Sequence, residues 1–135
     1  MELTVKPIGN GVQFEAEARG HKLISDQPQA NGGDDAGMTP PELLLASLGT
    51  CAAYYALQYL KSRALPTEDL RVKVSADKAQ QPARLASFRI DVDLPALEDR
   101  HKEGIQRAIG KCLIHNTLLH SPTVDVTLRM PEPVA

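Results

Sequence analysis

The stretch Thr39-Pro40-Pro41-Glu42-Leu43-Leu44-Leu45-Ala46-Ser47-Leu48-Gly49-Thr50-Cys51-Ala52-Ala53 decides how this chain folds. Thr39 is placed to cap a helix, two prolines suit a first helical turn, and Glu42 stands three residues on, as a capping box requires. The apolar residues beyond it occupy more than one stripe: Leu43, Leu44, Leu45, Ala46, Leu48, Ala52, Ala53, Ala56, Leu57 and Leu60. A helix apolar on most sides is normally the buried central element of a domain. The pattern predicts a helix to about residue 63, where Leu65-Pro66-Thr67 breaks it. Cys51 shares a face with Leu44, Leu48 and Tyr55, so its thiol should point inward or onto a pocket floor.

Strands are expected on both sides of this helix. Leu3-Thr4-Val5-Lys6 and Val12-Gln13-Phe14-Glu15-Ala16 alternate in character around Asn10-Gly11, a strong hairpin signal. Arg19-Gly20 marks a second turn before His21-Lys22-Leu23-Ile24-Ser25. Residues 26–39 form a polar, glycine-rich loop. Downstream, strands are expected at residues 70–76 and 85–94, a helix at about 97–111 and a short helix at 114–119. Val124-Asp125-Val126-Thr127-Leu128 closes as a strand, before a frayed tail. Such segregated runs argue for an α+β fold, a mainly antiparallel sheet packed on helices. No repeat or linker divides residues 1–135, which read as a single domain.

Composition narrows the function classes. The chain has 42% apolar residues, no Trp and a formal charge of −2. A nucleic-acid binder would show a basic patch or stripe, and the 15 Lys and Arg residues here are scattered. Ser47, Gly49, Thr50 and Gln58 interrupt the longest apolar stretch, so a buried helix is expected rather than a membrane span. No basic and apolar leader follows Met1, which reads as a cytoplasmic protein. In that reducing compartment two cysteines form a transient, catalytic or sensing disulfide, or remain free core thiols.

Those cysteines carry the only chemistry with a local case. Cys51 lies too far into its helix for the dipole to act on it. Cys112 follows Lys111, has His115 one turn on, and gains the dipole if it begins the short helix. Cys51, Cys112 and His115 with His101 or His120 make a Cys₂His₂ set in number, but only Cys112 and His115 have zinc-like spacing. No metal is expected. His21, His101 and His120 read as surface or capping residues. The sequence has no P-loop, no dinucleotide fingerprint and no nucleophile elbow, and Gly32-Gly33-Asp34-Asp35 lacks the EF-hand pattern. No cofactor is expected.

Four stretches in combination resemble the OsmC/Ohr family, the osmotically inducible and organic hydroperoxide resistance proteins, in its less-characterised OsmC-like branch. They are residues 21–28, Gly32-Gly33 through Thr39-Pro40, Pro41 through Cys51, and Cys112-Leu113-Ile114-His115-Asn116-Thr117-Leu118. The resemblance implies a sheet wrapped on a long buried central helix, in an intertwined homodimer with active sites at the interface. It implies thiol peroxidase chemistry, with Cys51 peroxidatic, Cys112 resolving, an organic hydroperoxide as substrate and a dithiol as reductant. The family's best-characterised peroxidases also use an arginine from the first hairpin turn and a glutamate ten residues before the first cysteine. Here Ile8-Gly9-Asn10-Gly11 and Pro41 occupy those places. Arg19 and Glu42 are the nearest candidates, although one position on a helix rotates Glu42 by about 100°.

Three functional readings therefore stand. One is an organic hydroperoxide reductase. Another is a small-ligand-binding or redox-sensing protein with a dithiol but little turnover. The last is a fold in which both thiols are inert core residues, as free cysteines often are.

Overall fold

A computed structural model describes residues 1–134. β1 (Thr4–Ile8), β2 (Gln13–Ala18) and β3 (His21–Ser25) form one antiparallel sheet in sequence order. Pro7 faces Phe14 and Ile8 faces Gln13, so β1 runs further than the alternation of residues 3–6 indicates, and Gly9 turns at φ 65°. One face carries Val5, Phe14, Ala16 and Leu23, while the other carries Glu15 between Lys6 and Lys22.

The loop after β3 is held by one carboxylate. Asp26 is buried and accepts hydrogen bonds from the backbone N–H groups of Gln27, Asp34 and Ala36 and from the Gln13 side chain. The Ala36 N–H does most to keep its acidity stronger than usual; burial opposes this, and the Gln27, Asp34 and Gln13 donors add to it. Ser25 and Met38 bridge, so the chain returns beside β3 before the long helix begins.

α1 (Pro40–Ser62) starts as its sequence dictates. Thr39 caps the Glu42 N–H, and the Glu42 carboxylate accepts from the Thr39 N–H and hydroxyl. The burial of α1 differs from expectation. Only Leu48, Ala52, Ala56 and Leu60, an i, i+4 stripe, are fully buried, and Tyr54 is exposed. The helix is long and apolar enough to cross a membrane by length and composition alone. Here that stripe packs against protein, with β4, α2 and α3 as neighbours of α1.

β4 (Arg71–Ala79) and β5 (Arg84–Asp93) make a second antiparallel sheet. Val72, Val74 and Ala76 pair across it with Val92, Ile90 and Phe88, giving one apolar face. Gly49 lets α1 approach this face closely, because an added Cβ would stand 2.9 Å from Val74 Cγ2. α2 (Lys102–Ile109) is shorter than the expected helix over 97–111. Glu98 is extended and a 3-10 turn spans Asp99–His101, so helical geometry cannot begin at Leu97. Ile105 is its buried anchor. α3 (Leu113–Leu119) follows directly.

The expected strand at 124–128 does not form within the chain. These residues lie outside any helix or strand, and Val126 is 91% exposed. A strand needs an edge to supply its hydrogen bonds, and no described residue of this chain supplies one. Two spaces also stay open: an apolar one of about 550 Å³ between the first sheet and α1, and a mixed one of about 700 Å³ between β5 and α2. The chain exposes 10768 Å². A compact chain of this mass would expose roughly 6,900 Å².

Two outcomes follow from this packing. Leu60→Ala removes a fully buried side chain at the end of the stripe, and denaturant titration should show a loss of about 2–5 kcal/mol. Because the folded pKa of Asp26 is depressed, its contribution is present above the ordinary carboxylate pKa and disappears as pH falls through the folded value. Asp26→Ala should therefore lower the melting temperature at neutral pH, with the difference from wild type shrinking in strong acid.

Candidate functional site

The fold brings the two cysteines together. Cys51 projects from the middle of α1, and Cys112 is the N-cap of α3, which packs against that helix. Both are free thiols; Cys51 is half-buried and Cys112 fully buried. The accessible thiol is thus the one in the long helix.

Hydrogen bonds distinguish the two sulfurs. Burial pushes the Cys51 thiol up, but donation from the Cys112 thiol and from the backbone N–H groups of Ile114 and Leu113 outweighs it. The Cys51 thiol is held below its ordinary pKa. Cys112 moves the other way. Its burial raises it first, the bond to Cys51 raises it further, and the N–H groups of His115 and Ile114 only partly compensate. The His115 N–H lies 3.4 Å from Cys112 Sγ, closing the cap. Of the two thiols Cys51 is therefore the more readily ionised, with Cys112 as donor and Cys51 as acceptor between them.

The donors at Cys51 include two that its own helix does not hint at. Leu113 and Ile114 open α3, where the first N–H groups of a helix have no intrahelical partner. At Cys51 they find a sulfur on another element. The helix-start signal around Cys112 was readable in sequence, but there it pointed to Cys112 as the beneficiary. Neither Lys111 nor the His115 imidazole is among the groups that shift Cys112, and burial dominates.

Arg19 and Glu42 are placed differently in the chain. Arg19 sits in the β2–β3 turn at φ 53°, beside a polar hollow lined by Glu2, Lys6, Glu15 and Glu17. The carboxylate of Glu42 closes the capping box, and its bonds from Thr39 lower its pKa. Neither residue is among the groups that bear on Cys51. The apolar space beside α1 is lined by Ser47 and Thr50 together with Leu43, Phe14 and Leu23.

The histidines depart from a surface role at one position. His101 is half-buried, and its Nδ1 lies 3.0 Å from the Tyr59 hydroxyl. The Arg63 guanidinium stacks 3.8 Å from the centre of the Tyr59 ring. Gly104 admits that ring, since a Cβ there would meet its hydroxyl at 2.5 Å. This cluster clamps α1 to α2 and is separate from the thiols. His120 Nδ1 lies 3.0 Å from the Asn116 carbonyl oxygen. Among the described residues no three His, Cys, Asp or Glu side chains gather as a metal site.

Comparison with known proteins agrees with this architecture. The family model described as OsmC-like protein matches residues 32–127. The structure is similar to that of an OsmC-like protein from Mycoplasma pneumoniae, with a TM-score of 0.74, 20% identity, and 89% and 87% of the two chains covered. It is also similar to an organic hydroperoxide resistance protein OsmC from Legionella pneumophila, with a TM-score of 0.55, 17% identity and coverage of 85% and 93%. A third likeness, at a TM-score of 0.55, 18% identity and coverage of 86% and 92%, is to an organic hydroperoxide resistance protein from Elizabethkingia anophelis with thiocyanate bound. At these identities the likenesses establish the fold. No curated protein matches the sequence.

The thiol asymmetry can be measured directly. Iodoacetamide alkylation followed against pH should place the Cys51 midpoint below that of an ordinary thiol and leave Cys112 slow throughout. Cys112→Ala removes a donor to Cys51, so the Cys51 midpoint should rise.

Proposed function

Since the chain belongs to the OsmC-like protein family, we propose that it is a cysteine-dependent thiol peroxidase acting on organic hydroperoxides. The observation that carries this reading is the division of labour between the sulfurs. Cys51 is accessible and held toward the thiolate, while Cys112 is buried and keeps its proton.

The cycle begins when the Cys51 thiolate attacks the outer oxygen of ROOH. The O–O bond breaks, Cys51 becomes a sulfenic acid, and RO⁻ takes a proton and leaves as an alcohol. Cys112 sulfur then attacks the Cys51 sulfur, the S–O bond breaks, and the hydroxyl leaves as water with the Cys112 proton. An external dithiol reduces the resulting disulfide to two thiols and is itself oxidised. Condensation needs the resolving sulfur close by, and the Cys112 thiol already donates to Cys51. The apolar space beside Ser47 and Thr50 suits an alkyl or aryl hydroperoxide better than hydrogen peroxide. The need for continual reduction matches a cytoplasmic location.

The functional unit in this reading is a homodimer. The chain exposes about half as much surface again as its mass requires. That excess, several thousand Å², is the size buried by obligate interfaces. A dithiol sensor or small-ligand binder with little turnover is the second reading. It is favoured by one observation: no guanidinium is among the groups that bear on Cys51.

Reduced protein mixed with cumene hydroperoxide or hydrogen peroxide, with thiol loss followed by mass spectrometry, separates these readings. Faster oxidation by the organic peroxide, a Cys51–Cys112 disulfide, and loss of turnover in Cys51→Ser are expected. Cys112→Ser should stall as a sulfenic acid that dimedone traps. Equal rates with both peroxides would sink the peroxidase assignment, and disulfide formation without turnover on added dithiol would favour the sensor.

A further inference from the structure

The thiol pair has a chemistry that needs no oxidant. Cys51 and Cys112 are both free, and the Cys112 thiol is in hydrogen-bond contact with the Cys51 sulfur. Soft sulfurs held side by side are a chelate for a soft, thiophilic centre. The packing of α3 on α1 sets them together before any ligand arrives. The ordering that chelation requires is therefore already in place.

The surroundings decide which centre fits. Among the described residues no three His, Cys, Asp or Glu side chains gather, so the site offers two sulfurs and no third ligand. His115 is the nearest candidate in sequence. Its backbone N–H holds Cys112 Sγ at 3.4 Å, while the residue lines the groove between β5 and α2. Zinc asks for four protein ligands, or three with an open position. A linear centre such as Hg(II) sets its two sulfurs on opposite sides of the metal, farther apart than hydrogen-bonded sulfurs lie. Trivalent arsenic bearing one carbon substituent meets both conditions. It is pyramidal, so its two exchangeable positions are adjacent, and its third bond is filled by the group it brings. Inorganic arsenite keeps a hydroxyl there, which an external thiol can exchange and which apolar surroundings penalise. A disubstituted arsenical has one exchangeable position and cannot chelate. Ser47, one turn before Cys51 on α1, lines the apolar space of about 550 Å³ with Leu43, Phe14 and Leu23, so an organic substituent has apolar surface within a helical turn.

We propose that Cys51 and Cys112 together form a chelating site for monosubstituted trivalent arsenicals, R–As(OH)₂. Cys51 binds first, because it is the accessible thiol. Its sulfur displaces one hydroxyl, and the Cys112 sulfur displaces the other. Two As–O bonds break and two As–S bonds form. Each thiol proton leaves with a hydroxyl as water, and arsenic stays trivalent. Neither sulfur is then free to attack a peroxide or to condense. The site does not rest on the peroxidase reading, since no peroxide or reductant takes part in filling it.

The test titrates the reduced full chain with phenylarsine oxide, which hydrates to the R–As(OH)₂ form, and separately with sodium arsenite. Binding is read by intact-mass spectrometry and by counting the remaining thiols. Phenylarsine oxide should add once per chain and remove both titratable thiols. Excess glutathione should not reverse it, whereas a small dithiol such as dimercaptopropanol should. Cys51→Ser and Cys112→Ser should each weaken binding about 100-fold, the loss of a chelate. A diphenyl arsenical on the wild-type chain loses the same chelate, so that comparison stands even where a variant fails to fold. Arsenite should bind about tenfold less tightly, because it has no apolar group to bury. One thiol consumed per arsenic, equal binding of the diphenyl reagent, or arsenite as tight as the phenyl compound would each overturn the proposal. Chelation in a chain without hydroperoxide turnover supports this site and sinks only the peroxidase. Turnover without chelation overturns this site alone.

Discussion

The stripe Leu48, Ala52, Ala56 and Leu60 on α1 is the constraint on which the rest of the structure depends. It is narrow, and two of its four members are alanines, so neighbouring elements can come close only along one line. β4 takes one flank, at Gly49, and α2 and α3 take another. Seating α3 there fixes the Cys112 cap against the middle of α1, where Cys51 lies one residue before Ala52 in that stripe. The chemistry of the thiols is thus a consequence of helix packing. No charged side chain is among the groups of this chain that shift Cys51.

That origin explains why Cys51 and Cys112, chemically identical, are driven apart. Both are withdrawn from water, which disfavours either thiolate. Cys51 receives the N–H groups of Leu113 and Ile114 together with the Cys112 thiol, and for it these donors outweigh burial. Cys112, as the cap, has an N–H from its own turn and must serve as donor to its neighbour. A pair of equal groups in contact cannot both ionise readily, and the element boundary decides which one does.

What the sequence revealed and what it hid divide along the same physical line. The hairpin at Asn10-Gly11 and the Thr39–Glu42 capping box were legible because each is satisfied by residues within a few positions of one another. The α+β order was legible through pattern and resemblance. The donors to Cys51 were not, because a backbone N–H leaves no side-chain signature and these belong to a distant segment. The limits of α2 were hidden for a related reason: Leu97, Ile105 and Ile109 keep helical spacing although Glu98 is extended. Val124 to Leu128 read as a strand from alternation alone. Alternation specifies which face a strand buries, but says nothing about whether an edge is there to receive it.

Activation of Cys51 by the segment that carries its resolving partner has a consequence for the proposed cycle. The Cys112 S–H that favours the thiolate is the same group that condensation consumes. Once the disulfide forms, the donor and the nucleophile vanish together, and reduction restores both at once. An arginine-based activator would instead remain charged beside the oxidised site throughout. The two arrangements differ in what sets the rate. With a fixed cation, ionisation of the attacking thiol is independent of the resolving cysteine, whereas here any shift of α3 away from α1 weakens both the attack and its resolution. In the proposed cycle, packing along the α1 stripe therefore controls reactivity as well as stability.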